Sequence, residues 1–117
     1  MSLKMGTREV NGVVIVDLSG QITLGEASAA VRDEVRDQTG NGFRKILLNL
    51  ADVNYIDSAG LGELVQAYAT TKNKGGSLKL LRTTKRITDL LIITKLVTVF
   101  DSYDTEAAAL ASFSSEV

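Results

Sequence analysis

Asp57-Ser58-Ala59-Gly60-Leu61-Gly62 sets a carboxylate beside a hydroxyl and follows them with two glycines. A serine in such a setting can attack a carbonyl, hold a nucleotide phosphate, cap a helix or accept a phosphoryl group. Composition narrows these options, because the 117-residue chain contains no His and no Cys. Without an imidazole there is no Ser-His-Asp triad and no His-ligated metal site, and without a thiol there is no thiolate nucleophile. A nucleophile elbow needs a glycine two residues before the serine, where Ile56 stands. Gly60-x-Gly62 lacks the third glycine of a dinucleotide fingerprint, since Val65 occupies that place, and Gly75-Gly76 is not followed by the Lys-Ser/Thr of a phosphate loop. A Ser58–Lys dyad stays open, with no Lys at a telling distance. No catalytic residue, metal ligand or cofactor is assigned, and the chain is read as a binding protein.

The elements that must position this segment follow from periodicity and turn chemistry. Asn11-Gly12 between apolar runs favours a type I′ turn, making residues 4–10 and 12–18 an antiparallel hairpin that Gly20 ends. Thr23-Leu24-Gly25-Glu26 has the form of a capping box, opening a helix to about Gln38 with Ala27, Ala30, Val31 and Val35 on one face. Thr39-Gly40-Asn41-Gly42 closes it. The apolar run 45–50 reads as a strand covered on both faces, followed by a loop over 51–56. Leu61, Leu64, Val65 and Tyr68 form a helical stripe within 59–74, which Gly75-Gly76 stops.

Residues 77–82 read as a further strand, and Thr84 as the cap of a helix carrying Ile87, Leu90 and Leu91 inward to about Thr94-Lys95. Residues 97–100 read as a last short strand. Asp104 then caps an Ala-rich helix to about Phe113, packing through Ala107, Leu110 and Ala111. The order β-β-α-β-α-β-α-β-α predicts one α/β domain over residues 1–117. Its sheet is mainly parallel, with an antiparallel N-terminal edge strand and about four helices. No Pro interrupts any element.

Net charge is −1 and the basic residues are scattered, so no basic face for nucleic acid is expected. Met1-Ser2-Leu3-Lys4 lacks the apolar stretch of a signal peptide and no segment approaches a membrane span, so a cytoplasmic protein without membrane insertion is expected.

Asp-Ser ahead of a helix is also ordinary capping chemistry, worth about 1 kcal/mol and no function. Two glycines in the first turns oppose helix formation by about 1 kcal/mol each relative to Ala, which a purely structural start would not need. They would let a partner's backbone approach. The stretch from Leu48 to Gly62, LNLADVNYIDSAGLG, resembles the central motif of STAS domains, specifically of anti-sigma factor antagonists. In that family a strand ends in an Asp-Ser-x-Gly-Leu turn opening a helix, and the element order is similar over essentially the whole chain.

The resemblance implies an antagonist that binds an anti-sigma factor, often a serine kinase, and so frees a sigma factor for transcription. It implies phosphorylation at Ser58, dissociation of the complex, and reset by a PP2C-type phosphatase. By the same carry-over, Asp57, Ser58, Ala59, Gly60, Leu61 and Gly62 form the partner-binding segment, with Leu61 partly exposed, and Thr23 joins them. Thr23, in Gly20-Gln21-Ile22-Thr23, stands where the family often has Asp, and Lys95-Leu96 replaces a common Gly-Leu. The alternative is a non-switching STAS scaffold or accessory subunit of a stressosome-like or transporter complex. A monomer or weak homodimer is expected. Tyr55 is read as a loop anchor, and Lys85-Arg86 as a solvated helix end.

Overall fold

The computed structural model describes residues 3–114, so the reading of Met1 and Ser2 lies outside the described residues. The elements are β1 (Leu3–Val10), β2 (Val13–Ile22), α1 (Glu26–Gly40), β3 (Lys45–Ile56), α2 (Ser58–Asn73), β4 (Ser77–Leu81), α3 (Lys85–Ile93), β5 (Ser102–Tyr103) and α4 (Glu106–Ser114). They form one five-stranded sheet in the order β1-β2-β3-β4-β5, with β1 antiparallel to β2 and all other pairs parallel. The expected α/β fold and element order are those found.

Each parallel connection steps in the same direction across the sheet, so crossovers of one hand must lay their helices on one face. Accordingly Val31 and Val35 of α1, Leu61 and Leu64 of α2, and Ile87 and Leu91 of α3 share one core with Val14, Val16, Ile46, Leu48 and Leu80. The alternate strand positions Val13, Ile15, Leu47 and Leu81 face the other way and are covered by Ala109 and Phe113 of α4. Coverage on both sides explains the unbroken apolar runs in β2 and β3. Arg8 ties this second layer down, donating from Nε to Asp17 at 2.7 Å and from Nη2 to Glu106 at 2.6 Å. Both carboxyls are thereby held below their usual range.

Several boundaries differ from expectation. Gly20 does not end β2; at φ 115° it sits between two register shifts, and the strand resumes to Ile22. The extension pairs Gln21 with Tyr55 and Ile22 with Ile56, so the expected loop over 51–56 is instead the second half of β3. A bulge breaks the alternation of side chains, which hides such a strand from any period-two reading. The expected strand at 97–100 is also absent. Phe100 is buried and meets Tyr68 edge-on at 5.5 Å, while the last strand is Ser102–Tyr103, which pairs with Leu80 and Leu81.

Helix starts show the same limit. Thr23 forms no capping box: α1 begins at Glu26 behind Gly25, whose φ is 106°, and no side chain caps it. Its buried face is Ser28, Val31, Val35 and Thr39, with Ala27 and Ala30 only half-buried. At α4 the cap is Thr105, whose Oγ1 accepts from Ala108 N at 3.1 Å, and not Asp104. Ala109 and Phe113 are buried there, whereas Ala107 and Ala111 are exposed. An alanine-rich helix has no strong stripe of its own, so its one large aromatic sets the rotation. Thr84 does cap α3 as expected, accepting from Ile87 N.

The turn after α3 carries a stored strain. Lys95 has φ 63°; its amide donates to Ile92 O at 3.0 Å and the Leu96 amide to Leu91 O at 2.8 Å. This pair of bonds is the Schellman arrangement, in which glycine at the left-handed position avoids a steric penalty of about 1–2 kcal/mol. Lys95→Gly is therefore expected to stabilise the domain by about 1 kcal/mol, read as a raised urea midpoint at unchanged m-value. A lowered midpoint would show that the Lys95 side chain contributes more than the strain removes.

Candidate functional site

The N-terminus of α2 is assembled from two strand ends. Ile22 and Ile56 are paired neighbours at the carboxyl edge of β2 and β3, and the Asp57 amide donates to Ile22 O at 3.3 Å. This bond turns the chain out of the sheet with Asp57 extended, at φ −98° and ψ −178°. From there Asp57 Oδ1 accepts from Gly60 N at 2.8 Å, and Oδ2 accepts from Leu24 N at 3.0 Å. One carboxylate thus caps α2 and clamps the β2–α1 loop. The Gly60 amide first, and then that of Leu24, hold the carboxyl below the usual carboxylate range, since both bonds favour its charged form.

Ser58 is the first residue of α2 and exposed. Sequence reasoning allowed its side chain to cap the helix. Asp57 does so instead, and the Ser58 hydroxyl makes no hydrogen bond among the described residues. The distinction matters chemically, because a capping hydroxyl is tied to an amide whereas this one is available to solvent or a partner.

The remaining expected site residues divide. Gly62 is exposed, with nothing within 4 Å of where a Cβ would stand, and Ala59 is half-buried. Thr23, half-buried, is brought to the site by the Leu24–Asp57 clamp beside it. Gly60 and Leu61 correct the expectation. Gly60 is buried, and a Cβ on it would run into the Ile22 carbonyl oxygen and come within 2.9 Å of Ile56 Cγ1. Its missing side chain admits the chain's own strand ends, not a partner. Leu61, expected to be partly exposed, is only 6% exposed and packs in the main core.

Sequence reasoning missed two flanking features. Leu24 is 78% exposed even though its amide is clamped. On the other flank, Ile56, Leu90 and Ile93 floor a groove of about 450 Å³ that Lys85, Arg86 and Asp89 rim. Tyr55, at the end of β3, carries the Arg86 guanidinium over its ring at 4.2 Å. An apolar residue on the outer face of a short helix was the only available signal for this groove. Among the described residues, no three His, Cys, Asp or Glu side chains gather into a metal-binding group, and no helix is long and apolar enough to cross a membrane.

Known proteins share this fold. The STAS domain pattern matches residues 4–109. The anti-sigma-B factor antagonist of Bacillus subtilis is 31% identical over 101 residues, covering 86% of this chain and 91% of the relative. The crystal structure of TM1081 from Thermotoga maritima is 27% identical and superposes with a TM-score of 0.87 over 94% of both chains. SpoIIAA, at 18% identity, shares the fold in its unphosphorylated form at a TM-score of 0.75 (97% of this chain, all of that one) and in its phosphorylated form at 0.74 (93% and 98%). With its element order, its Asp-Ser turn opening α2 and these similarities in agreement, the chain belongs to the STAS domain proteins, in the family of the anti-sigma factor antagonists.

Proposed function

We propose that this chain binds an anti-sigma factor through the surface around Ser58, and that phosphorylation of Ser58 by that partner, a serine kinase, ends the complex. The observation that carries the reading is the free, exposed hydroxyl at the first position of α2, left unengaged because Asp57 takes over the capping. The kinase supplies ATP and the base; Ser58 Oγ forms the new O–P bond, ADP departs, and the serine proton leaves with the kinase's base. This chain supplies no catalytic group and acts as a cytoplasmic regulator of transcription. A PP2C-type phosphatase returns the serine to its hydroxyl form.

The partner surface is built from Ser58, Asp57, Ala59, Gly62 and the Thr23 loop, with Gly60 and Leu61 supporting it from beneath. The phosphate adds about −1.5 to −2 charge beside the Asp57 carboxylate, on the face where a partner must shed water to dock.

The test begins by titrating the purified chain with each purified anti-sigma factor of its organism, to find the one that binds saturably. That partner and ATP are then added, and peptides are read by mass spectrometry. A single phosphate on Ser58 is expected, and none on Ser58→Ala. A bound partner that never phosphorylates Ser58 would refute the switch, and the absence of any binding anti-sigma factor would refute the antagonist itself.

A further inference from the structure

We propose that Leu24 is the apolar anchor of the Ser58 surface, held ready by the Asp57 carboxylate and received by an apolar pocket of the anti-sigma factor. This rests on the antagonist reading above. A single exposed leucine is ordinary on a protein surface. Leu24 differs in what holds it: the residue is 78% exposed, yet its amide donates to Asp57 Oδ2 at 3.0 Å. The backbone around it is tied at each step. Ile22 O accepts from the Asp57 amide at 3.3 Å, Thr23 O from Ser28 N at 3.1 Å, and Gly25 O from Ala29 N at 3.1 Å. Gly25, at φ 106°, then turns the chain into α1 and leaves Leu24 outside both hydrophobic cores. An apolar side chain on a backbone already ordered gives up little beyond its own rotamers when it docks, so most of the gain from shedding water is kept.

Position selects the occupant. Leu24 is one hydrogen bond from Asp57, the residue beside the phosphoacceptor. A kinase that phosphorylates Ser58 must bring its active site into contact with Ser58 Oγ, and a standard footprint of about 800 Å² spans roughly 30 Å. Leu24 falls inside it. The other large apolar residues left exposed among the described residues are Met5, Ile92, Ile93 and Val97. None of them shares a bond with Asp57. Ile92 and Ile93 follow Lys85, the first residue of α3, by seven and eight positions, about 10–12 Å along the helix.

Asp57 can be separated from its clamp without losing the cap. Asparagine is also a good helix cap, but it has one acceptor oxygen in place of two and cannot hold the Gly60 and Leu24 amides as the carboxylate does. Asp57→Asn therefore frees the Leu24 loop while the start of α2 stands.

The test measures the affinity of the anti-sigma factor found by titration for the wild type, Leu24→Ala, Leu24→Asp, Ile93→Ala and Ser58→Asp, with melting curves to confirm that each variant folds. Leu24→Ala is expected to raise Kd about tenfold and Leu24→Asp further, both at unchanged melting temperature, while Ile93→Ala stays within about twofold. If both Leu24 variants bind within about twofold of wild type while Ser58→Asp is weakened, the anchor is overturned and the antagonist reading stands. If Ser58→Asp is also unweakened, the switch reading falls and takes the anchor with it. A loss at Ile93→Ala equal to that at Leu24→Ala would overturn the special place given to Leu24. Asp57→Asn is expected to weaken binding severalfold in the wild type and much less in the Leu24→Ala background, since the carboxylate acts through the anchor. Equal losses in the two backgrounds would overturn the clamp. A photoreactive Leu24→benzoylphenylalanine variant should cross-link to apolar residues of the anti-sigma factor; a cross-link to a second copy of this chain overturns the proposal.

Discussion

Gly60→Ala is expected to destabilise the domain by about 3 kcal/mol, a large part of the 5–15 kcal/mol that holds a typical domain together. The added methyl has no room: it runs into the Ile22 carbonyl oxygen and reaches within 2.9 Å of Ile56 Cγ1. Relief would require the paired ends of β2 and β3 to move. Those ends are fixed by the Ile22–Ile56 pairing, by the Asp57 amide on Ile22 O, and by the Asp57 carboxylate on the Gly60 amide itself. Backbone cannot yield as the far end of a flexible side chain does, so the strain spreads into the cap.

Gly62→Ala is the matched control. That position is open and exposed within the same helix, so alanine there is expected to stabilise by about 0.5–1 kcal/mol through helix propensity alone. Urea unfolding of both variants decides the matter. Equal midpoints would show that the close approach at Gly60 is relieved at little cost.

Ser58→Asp is expected to keep the wild-type melting temperature to within a few degrees and to weaken anti-sigma factor binding by about a hundredfold. Two opposing terms act on the fold: a negative charge at the start of α2 gains about 0.3–1 kcal/mol from the helix dipole, and repulsion from the half-buried Asp57 carboxylate offsets part of it. Neither can unfold a domain. Docking is different, because burying an unpaired charge against a surface shaped for a hydroxyl carries a desolvation penalty of several kcal/mol. A hundredfold change in Kd corresponds to about 2.7 kcal/mol, well inside that range. The phosphorylated protein should behave likewise and more strongly, since phosphate carries more charge.

Calorimetric titration beside thermal melts checks both halves. Ser58→Ala should bind within a few-fold of wild type. A Ser58→Asp protein that melts far below wild type would place the effect in the fold, and one that binds normally would remove the switch.

Much of the architecture was legible from the residues in order. Asn11-Gly12, with φ values of 54° and 81°, forms the expected hairpin turn, because its positive dihedrals are a local property of that dipeptide. The alternation of apolar strands with amphipathic helices fixed the parallel sheet, and the antiparallel edge followed from the hairpin. The absence of His and Cys removed triads and thiol chemistry before any coordinates were needed. Ser58 at the start of α2 was equally plain, since strand, polar turn and helical stripe adjoin there.

What the sequence could not reach were relations between residues far apart along it. Thr23 and Ser58 both looked like caps, yet Asp57 caps α2 and also holds Leu24, 33 residues away, because β2 and β3 end side by side. Gly60 looked like an opening for a partner and is instead where two strand ends close in. Leu61 had the placing of a surface residue and became core once α2 lay on the sheet. Arg86 and Tyr55 carry no mutual signal at 31 positions' separation, but the ring orients the guanidinium beside the groove. Local pattern sets the period of each element and the chemistry available to it. Which donor meets which acceptor, and which side chains are left without cover, is decided only when the sheet brings distant segments together.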